Sequence, residues 1–153
     1  MKKILFCFFA FVLFSCTGYE PIFSSKNLSF NIKNIKNVNG DDITRKIANN
    51  LNSNKVKSNS KKNYTLEISS YLNNNITSKN SKGDATTFEM IINVKVLVFN
   101  TNSESQIHTL SFNKNFNYNN QVNKFDLSKY KKGIEDNLIN KISQDILIKL
   151  QSL

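Results

Sequence analysis

Few side chains in this 153-residue sequence are suited to bond-making chemistry. There is one histidine, His108, and there are two cysteines, Cys7 and Cys16. A zinc-type site draws several ligands from imidazole and thiolate. Cys7 falls in a segment expected to be removed, which leaves His108 without a thiolate partner. A Ser-His-Asp constellation is not signalled either: serine is abundant, and no G-x-S-x-G turn occurs. Asp41-Asp42 would suit a cation, but the pair opens a helical pattern, and capping at the positive end of a helix dipole explains it with less effort. Dinucleotide and phosphate-loop glycine patterns are absent. The residues predict a protein that is not an enzyme and carries neither metal nor cofactor.

Cys16 is the exception. Lys2 and Lys3 precede an apolar run of eleven residues, Ile4 to Phe14, which ends at Ser15-Cys16. A membrane-spanning helix needs ~20 apolar residues, so the run is too short to cross. A charged start and a short apolar core describe a secretory signal peptide. Leu13-Phe14-Ser15-Cys16 fits a bacterial lipobox at Leu13, Ser15 and Cys16, with Phe14 bulkier than usual; the other reading is a cysteine near a cleavage site by chance. In a lipobox the thiol is joined to diacylglycerol and the cysteine becomes the first mature residue. One acyl chain anchors reversibly, whereas two or more anchor stably. Thr17 is not the aspartate that retains some lipoproteins at the inner membrane, so sorting to the outer membrane is expected.

Charge is less informative. The formal net charge is +10, and removal of Lys2 and Lys3 would leave +8. Such a balance suits nucleic acid or an anionic membrane surface. An exported lipoprotein does not meet nucleic acid, which leaves anionic lipid head groups as partner. Asn, Lys and Ile dominate throughout, as AT-rich codons favour, so part of the basicity is compositional.

The apolar positions set the elements. Leu28, Phe30 and Ile32 alternate as a first strand. Asn39-Gly40 turns the chain, and Asp41 or Asp42 caps a helix carrying Ile43, Ile47, Ala48 and Leu51. Tyr64, Leu66, Ile68 and Leu72 mark a second strand. Phe88, Met90, Ile92, Val94, Val96 and Val98 form one face of a third, with Ile91, Lys95, Leu97 and Phe99 on the other. A fourth spans Ile107 to Tyr118, with Leu110, Phe112, Phe116 and Tyr118 in phase. Asparagine-rich stretches at Asn52 to Asn63, Asn73 to Asp84 and Asn113 to Asn123 read as loops. A long amphipathic helix closes the chain through Leu127, Tyr130, Ile134, Leu138, Ile142, Ile146 and Leu150, with Asp126 as N-cap. Lys131, Lys132, Glu135 and Lys141 should point outward, and Gly133 should mark close packing on the sheet. The stripe could serve a coiled coil, but it seldom keeps a strict heptad. The expectation is an α+β fold of order β-α-β-β-β-α, two helices packed on a four-stranded mixed sheet.

Three stretches in this order are similar to a known family. Cys16-Thr17-Gly18-Tyr19-Glu20-Pro21-Ile22-Phe23 resembles the start of mature LptE lipopolysaccharide-assembly lipoproteins, with Thr17 as an extra residue before the glycine. Gly83-Asp84-Ala85-Thr86-Thr87-Phe88-Glu89-Met90 resembles the family's loop glycine and Thr-rich step into a long strand. Phe116 to Gln121, leading into a C-terminal helix, is the third point. The resemblance implies a signal peptide at residues 1–15, a lipid-anchored tether at 16–27 and a single domain at 28–153.

It also implies a role. LptE proteins sit in the outer membrane, plug the LptD β-barrel, help it assemble and bind lipopolysaccharide, without catalysis. Basic residues in the loops after strands two and four are implicated in lipopolysaccharide binding there; Lys82 and Lys124 match best, with Lys79 as substitute. Alternation of strand direction places both loops at one end, opposite the anchor. Lysine is chemically suited to the phosphates of the lipid head group, and solvated loop lysines in a Lys-rich chain are the plain alternative. The other functional reading is a free periplasmic lipoprotein that binds a small ligand or an envelope protein without a barrel.

Overall fold

The computed structural model describes residues 28–53 and 62–153. The expected signal peptide, Cys16, the tether and residues 54–61 lie outside the described residues. The elements run β1 (Phe30–Asn37), α1 (Asp42–Ser53), β2 (Lys62–Lys79), β3 (Ala85–Asn100), β4 (Gln106–Asn119) and α2 (Lys124–Gln151). They form one mixed sheet in the order β1-β2-β3-β4. β1 is parallel to β2, and the other two pairings are antiparallel. This is the expected α+β order, and α1 makes the crossover that parallel neighbours require.

Alternation in the strands creates a sheet with two unlike faces. Tyr64, Leu66 and Ile68 of β2, Met90 to Val98 at every second position of β3, and Leu110 and Tyr118 of β4 are buried together. The register aligns them, with Leu66 opposite Val98, and Val96 between Ile68 and Leu110. Both helices lie on that face. Ile47 and Leu51 of α1, and Ile142 and Ile146 of α2, are completely buried against it.

Polar side chains fix where the helices sit. Gly40 takes a positive φ of 69°, which a side chain would resist, and turns the chain into α1. Asp41 then caps the helix: its carboxylate accepts the Thr44 N–H at 2.6 Å and the Ser70 hydroxyl at 2.8 Å. The Thr44 and Ser70 hydroxyls lie 2.8 Å apart, tying helix to sheet within their buried interface. Lys46 bridges the two helices, donating to Glu135 at 2.7 Å and Asp136 at 3.0 Å. Hydrogen bonding to Glu135, opposed by partial burial, raises the Lys46 pKa well above its ordinary value. No buried side-chain polar atom among the described residues lacks a partner.

Three local expectations are corrected. The asparagine-rich composition predicts a loop from Asn73, yet β2 continues to Lys79; from Asn113 the same composition competes with the alternation of Ile107 to Tyr118, and there the strand reading holds, with β4 running to Asn119. Their backbones are held in the strand ladders, and Asn74, Asn113 and Asn115 also pair through their side chains. The N-cap of α2 is Asn123, whose side chain accepts the Phe125 N–H, so Asp126 sits inside the first turn and complements the helix dipole. Gly133 is not a close-packing point, because a Cβ built there meets nothing within 4 Å. Of the residues expected outward, Lys132 and Lys141 are exposed, while Lys131 and Glu135 are half-buried.

Truncating the α2 stripe should be costly. Ile142→Ala is expected to lose about 2–5 kcal/mol, because a completely buried side chain leaves a cavity. Denaturant unfolding of the two proteins measures it; a loss below about 0.5 kcal/mol would put the stripe on the surface.

Candidate functional site

Strand direction gathers two loops at one end. β2 and β4 run the same way and β3 runs against them, so the β2–β3 turn and the β4–α2 connection share that end. Asn80 builds the turn. Its side-chain oxygen accepts the N–H groups of Lys82 and Asp84, both at 2.9 Å, while its own N–H donates to the Asp84 carbonyl. Gly83 supplies the positive φ of 88° that closes it. Asn120 joins the second loop to the second strand of that hairpin, donating from its backbone to Thr86 and from its side chain to Ala85, both at 2.8 Å. The other end receives the chain: the Ser29 N–H donates to Gln151 at the last turn of α2.

The three lysines singled out in the sequence occupy the loop-bearing end. Lys79 is the last residue of β2, Lys82 lies in the turn, and Lys124 is the first residue of α2. All three are exposed, and none forms an ion pair with the described residues. Apolar side chains stand among them. Ile76, Val122 and Phe125 are exposed, Phe125 at 75%. Beneath, Phe88 stacks on Tyr118 at 5.4 Å, and Tyr118 meets Tyr130 edge-on at 6.2 Å. Burial raises the Tyr118 phenol above its ordinary pKa, keeping it a neutral donor to Asn74. Sequence reasoning missed the apolar partners of the lysines, although Val122-Asn123-Lys124-Phe125 announces them as apolar residues just outside the helical stripe.

The second surface is the sheet face away from the helices. Its positions include Thr65, Glu67, Ser69 and Asn73 of β2, Glu89, Asn93 and Lys95 of β3, and Ser111, Asn113 and Asn115 of β4. Side chains pair across the strands: Asn113 donates to Asn93 at 2.7 Å and Asn115 to Glu89 at 2.6 Å. No described helix covers it. Tyr71 stands out at 65% exposure, while Ile91, Leu97 and Phe99 are half-buried between polar neighbours.

His108 is an exposed residue of β4, and no cluster of metal-ligating side chains occurs among the described residues. No described helix is long and apolar enough to cross a membrane.

Family comparison gives this geometry its context. Residues 28–150 match the family model described as LptE, lipopolysaccharide-assembly. The chain belongs to the LptE family. No curated protein matches the sequence significantly. Solved structures share the fold at low identity. Rare lipoprotein B from Shewanella oneidensis is 15% identical, with a TM-score of 0.62 over 80% of this chain and 95% of that one. A minor lipoprotein from Acinetobacter baumannii is 13% identical, with a TM-score of 0.57 over 80% and 92%. Lipoprotein B from Nitrosomonas europaea is 12% identical, with a TM-score of 0.56 over 86% and 88%. Membership makes the protein a lipopolysaccharide-assembly lipoprotein of LptE type, a family of non-enzymatic transport components.

Proposed function

We propose that this LptE protein is anchored to the periplasmic side of the outer membrane through lipid on Cys16. There it occupies the lumen of an LptD-type β-barrel, assists its assembly and binds lipopolysaccharide in transit. The observation that carries this reading is the uncovered, hydrogen-bonded polar face of the sheet. A water-facing sheet of this kind matches the polar interior of a closed membrane barrel, whereas a docking site in lipid would need an apolar band. Residues 1–15 then act as the signal peptide, 16–27 as the tether and 28–153 as the plug.

Lipopolysaccharide contact is assigned to Lys79, Lys82 and Lys124. Three unpaired ammonium groups beside exposed Ile76, Val122 and Phe125 offer charge for phosphates and apolar surface for lipid. Exposed charges are screened beyond ~8–10 Å at physiological ionic strength, and more strongly as salt is added, so this binding should weaken with salt.

Two experiments test the reading. Joint replacement of Lys79, Lys82 and Lys124 by Ser should weaken lipopolysaccharide binding by about a hundredfold, since three ammonium–phosphate hydrogen bonds of about 1 kcal/mol each are lost. Folding and barrel co-purification should be unchanged; binding equal to the parent would move the site elsewhere. Cys16→Ser should abolish incorporation of a fatty-acid analogue in the native host, and continued labelling would refute anchoring at Cys16.

A further inference from the structure

A groove of about 710 Å³ runs along the flank of α2 that faces away from α1, between that helix and Phe116 of the edge strand β4. Its lining is apolar at Phe116, Tyr130 and Ile134. Gly133 leaves part of the wall bare, with nothing within 4 Å of where a Cβ would stand. Lys129 and Lys141 stand at its borders, and neither forms an ion pair among the described residues. Asp126 and Asn137 complete the lining. Phe116 and Tyr130 each remain about two-fifths exposed, so the groove presents aromatic surface that the fold itself does not cover.

We propose that this groove takes one acyl chain of lipopolysaccharide, with Lys129 and Lys141 directed to its phosphates. The assignment is distinct from the Lys79, Lys82 and Lys124 end and rests on lipopolysaccharide being the transported ligand. Dimensions favour a single chain. Asp126 to Lys141 span about 22 Å of helix, and an acyl chain covers half of a ~30 Å hydrocarbon core, about 15 Å. Volume is in the range of small-molecule sites, about 300–1,000 Å³. Charge selects the occupant. An apolar groove alone would accept a helix or an extended peptide, but two unpaired lysines flanking it favour an anionic amphiphile, outweighing the single carboxylate of Asp126. A lysine stem also lies along apolar surface while its ammonium reaches outward, the geometry suited to a tail below and a phosphate above.

Gly133 provides the test. Gly133→Leu directs a branched side chain at the groove from a Cβ position that meets nothing within 4 Å, and it improves helix propensity, so folding is expected to be retained, which thermal unfolding checks. Binding is read on the full mature protein with two probes: lipid A in detergent micelles, and its deacylated phosphorylated disaccharide. Loss of burial for two methylenes corresponds to about tenfold, so lipid A should bind Gly133→Leu at least about tenfold more weakly. The disaccharide should bind it as it binds the parent. Gly133→Ala, which adds one methyl and leaves the groove open, should retain lipid A binding. Lipid A binding to Gly133→Leu equal to the parent overturns the assignment, including the case where only barrel co-purification suffers and the groove is a protein-docking surface. Equal loss for phosphatidylglycerol micelles would make it a general phospholipid groove and overturn the choice of lipopolysaccharide. A parent that binds neither probe would instead remove the lipopolysaccharide reading itself.

Discussion

The constraint on which the domain depends is the strict two-residue alternation of β2 and β3. Leu66, Ile68, Ile92, Val96 and Val98 are fully buried on one side, while their neighbours Glu67, Ser69, Asn93 and Lys95 lie on the other. A shift of one residue in register would exchange the faces completely. Both helices must therefore lie on one side, and the chain order permits it: α1 returns the chain for a parallel β1–β2 pair, and α2 runs back across the sheet from β4. The uncovered polar face is the other half of the same constraint. Covering one face only is what leaves a surface available to a partner.

Unequal strand lengths shape the rest. β1 pairs with β2 only from Lys62 to Ile68, while the β2–β3 pairing continues to Lys79 and Ala85. The hairpin thus reaches well beyond the first strand and α1, and its far part is roofed by α2 alone. There the packing changes from aliphatic to aromatic, through Phe88, Tyr118 and Tyr130. Asn80 and Asn120 hold the two loops in place with side-chain hydrogen bonds, so the exposed lysines at that end project from braced turns. The outer flank of α2, away from α1, is also uncovered, and the groove beside Gly133 lies there.

Most of the architecture is legible in the sequence because apolar side chains repeat at period two in strands and at three- and four-residue steps in helices. The face of β3 from Phe88 to Val98 and the stripe of α2 from Ile134 to Leu150 need no other signal. Alternation fails as a guide where asparagine replaces apolar residues: Asn73 to Asn75 continue β2 because Ile91, Met90 and Glu89 across the sheet supply ladder partners, and such pairing has no local signature. Asn123 displaces Asp126 as the cap because capping depends on where the backbone first turns helical. A glycine inside a helix suggests close packing, whereas the structure leaves open space over Gly133. The lysines are visible as residues and their shared end follows from strand direction, but the apolar company of Val122 and Phe125 requires the folded loop. Cys16 is read from the sequence, through the charged start, the short apolar run, the lipobox pattern and the family resemblance that begins there.

A protein that plugs a barrel in this way would hold its uncovered sheet face against the barrel wall. Site-specific photo-crosslinking in the native envelope addresses it most directly, with the crosslinker placed in turn at Tyr71 on the open face and at Asn49 on the exposed side of α1. Tyr71 should capture a large outer-membrane β-barrel protein, and its adduct should be the stronger of the two. Capture of a barrel from Asn49 with none from Tyr71 would place the helical layer at the interface, and no barrel adduct from either position would contradict the plug.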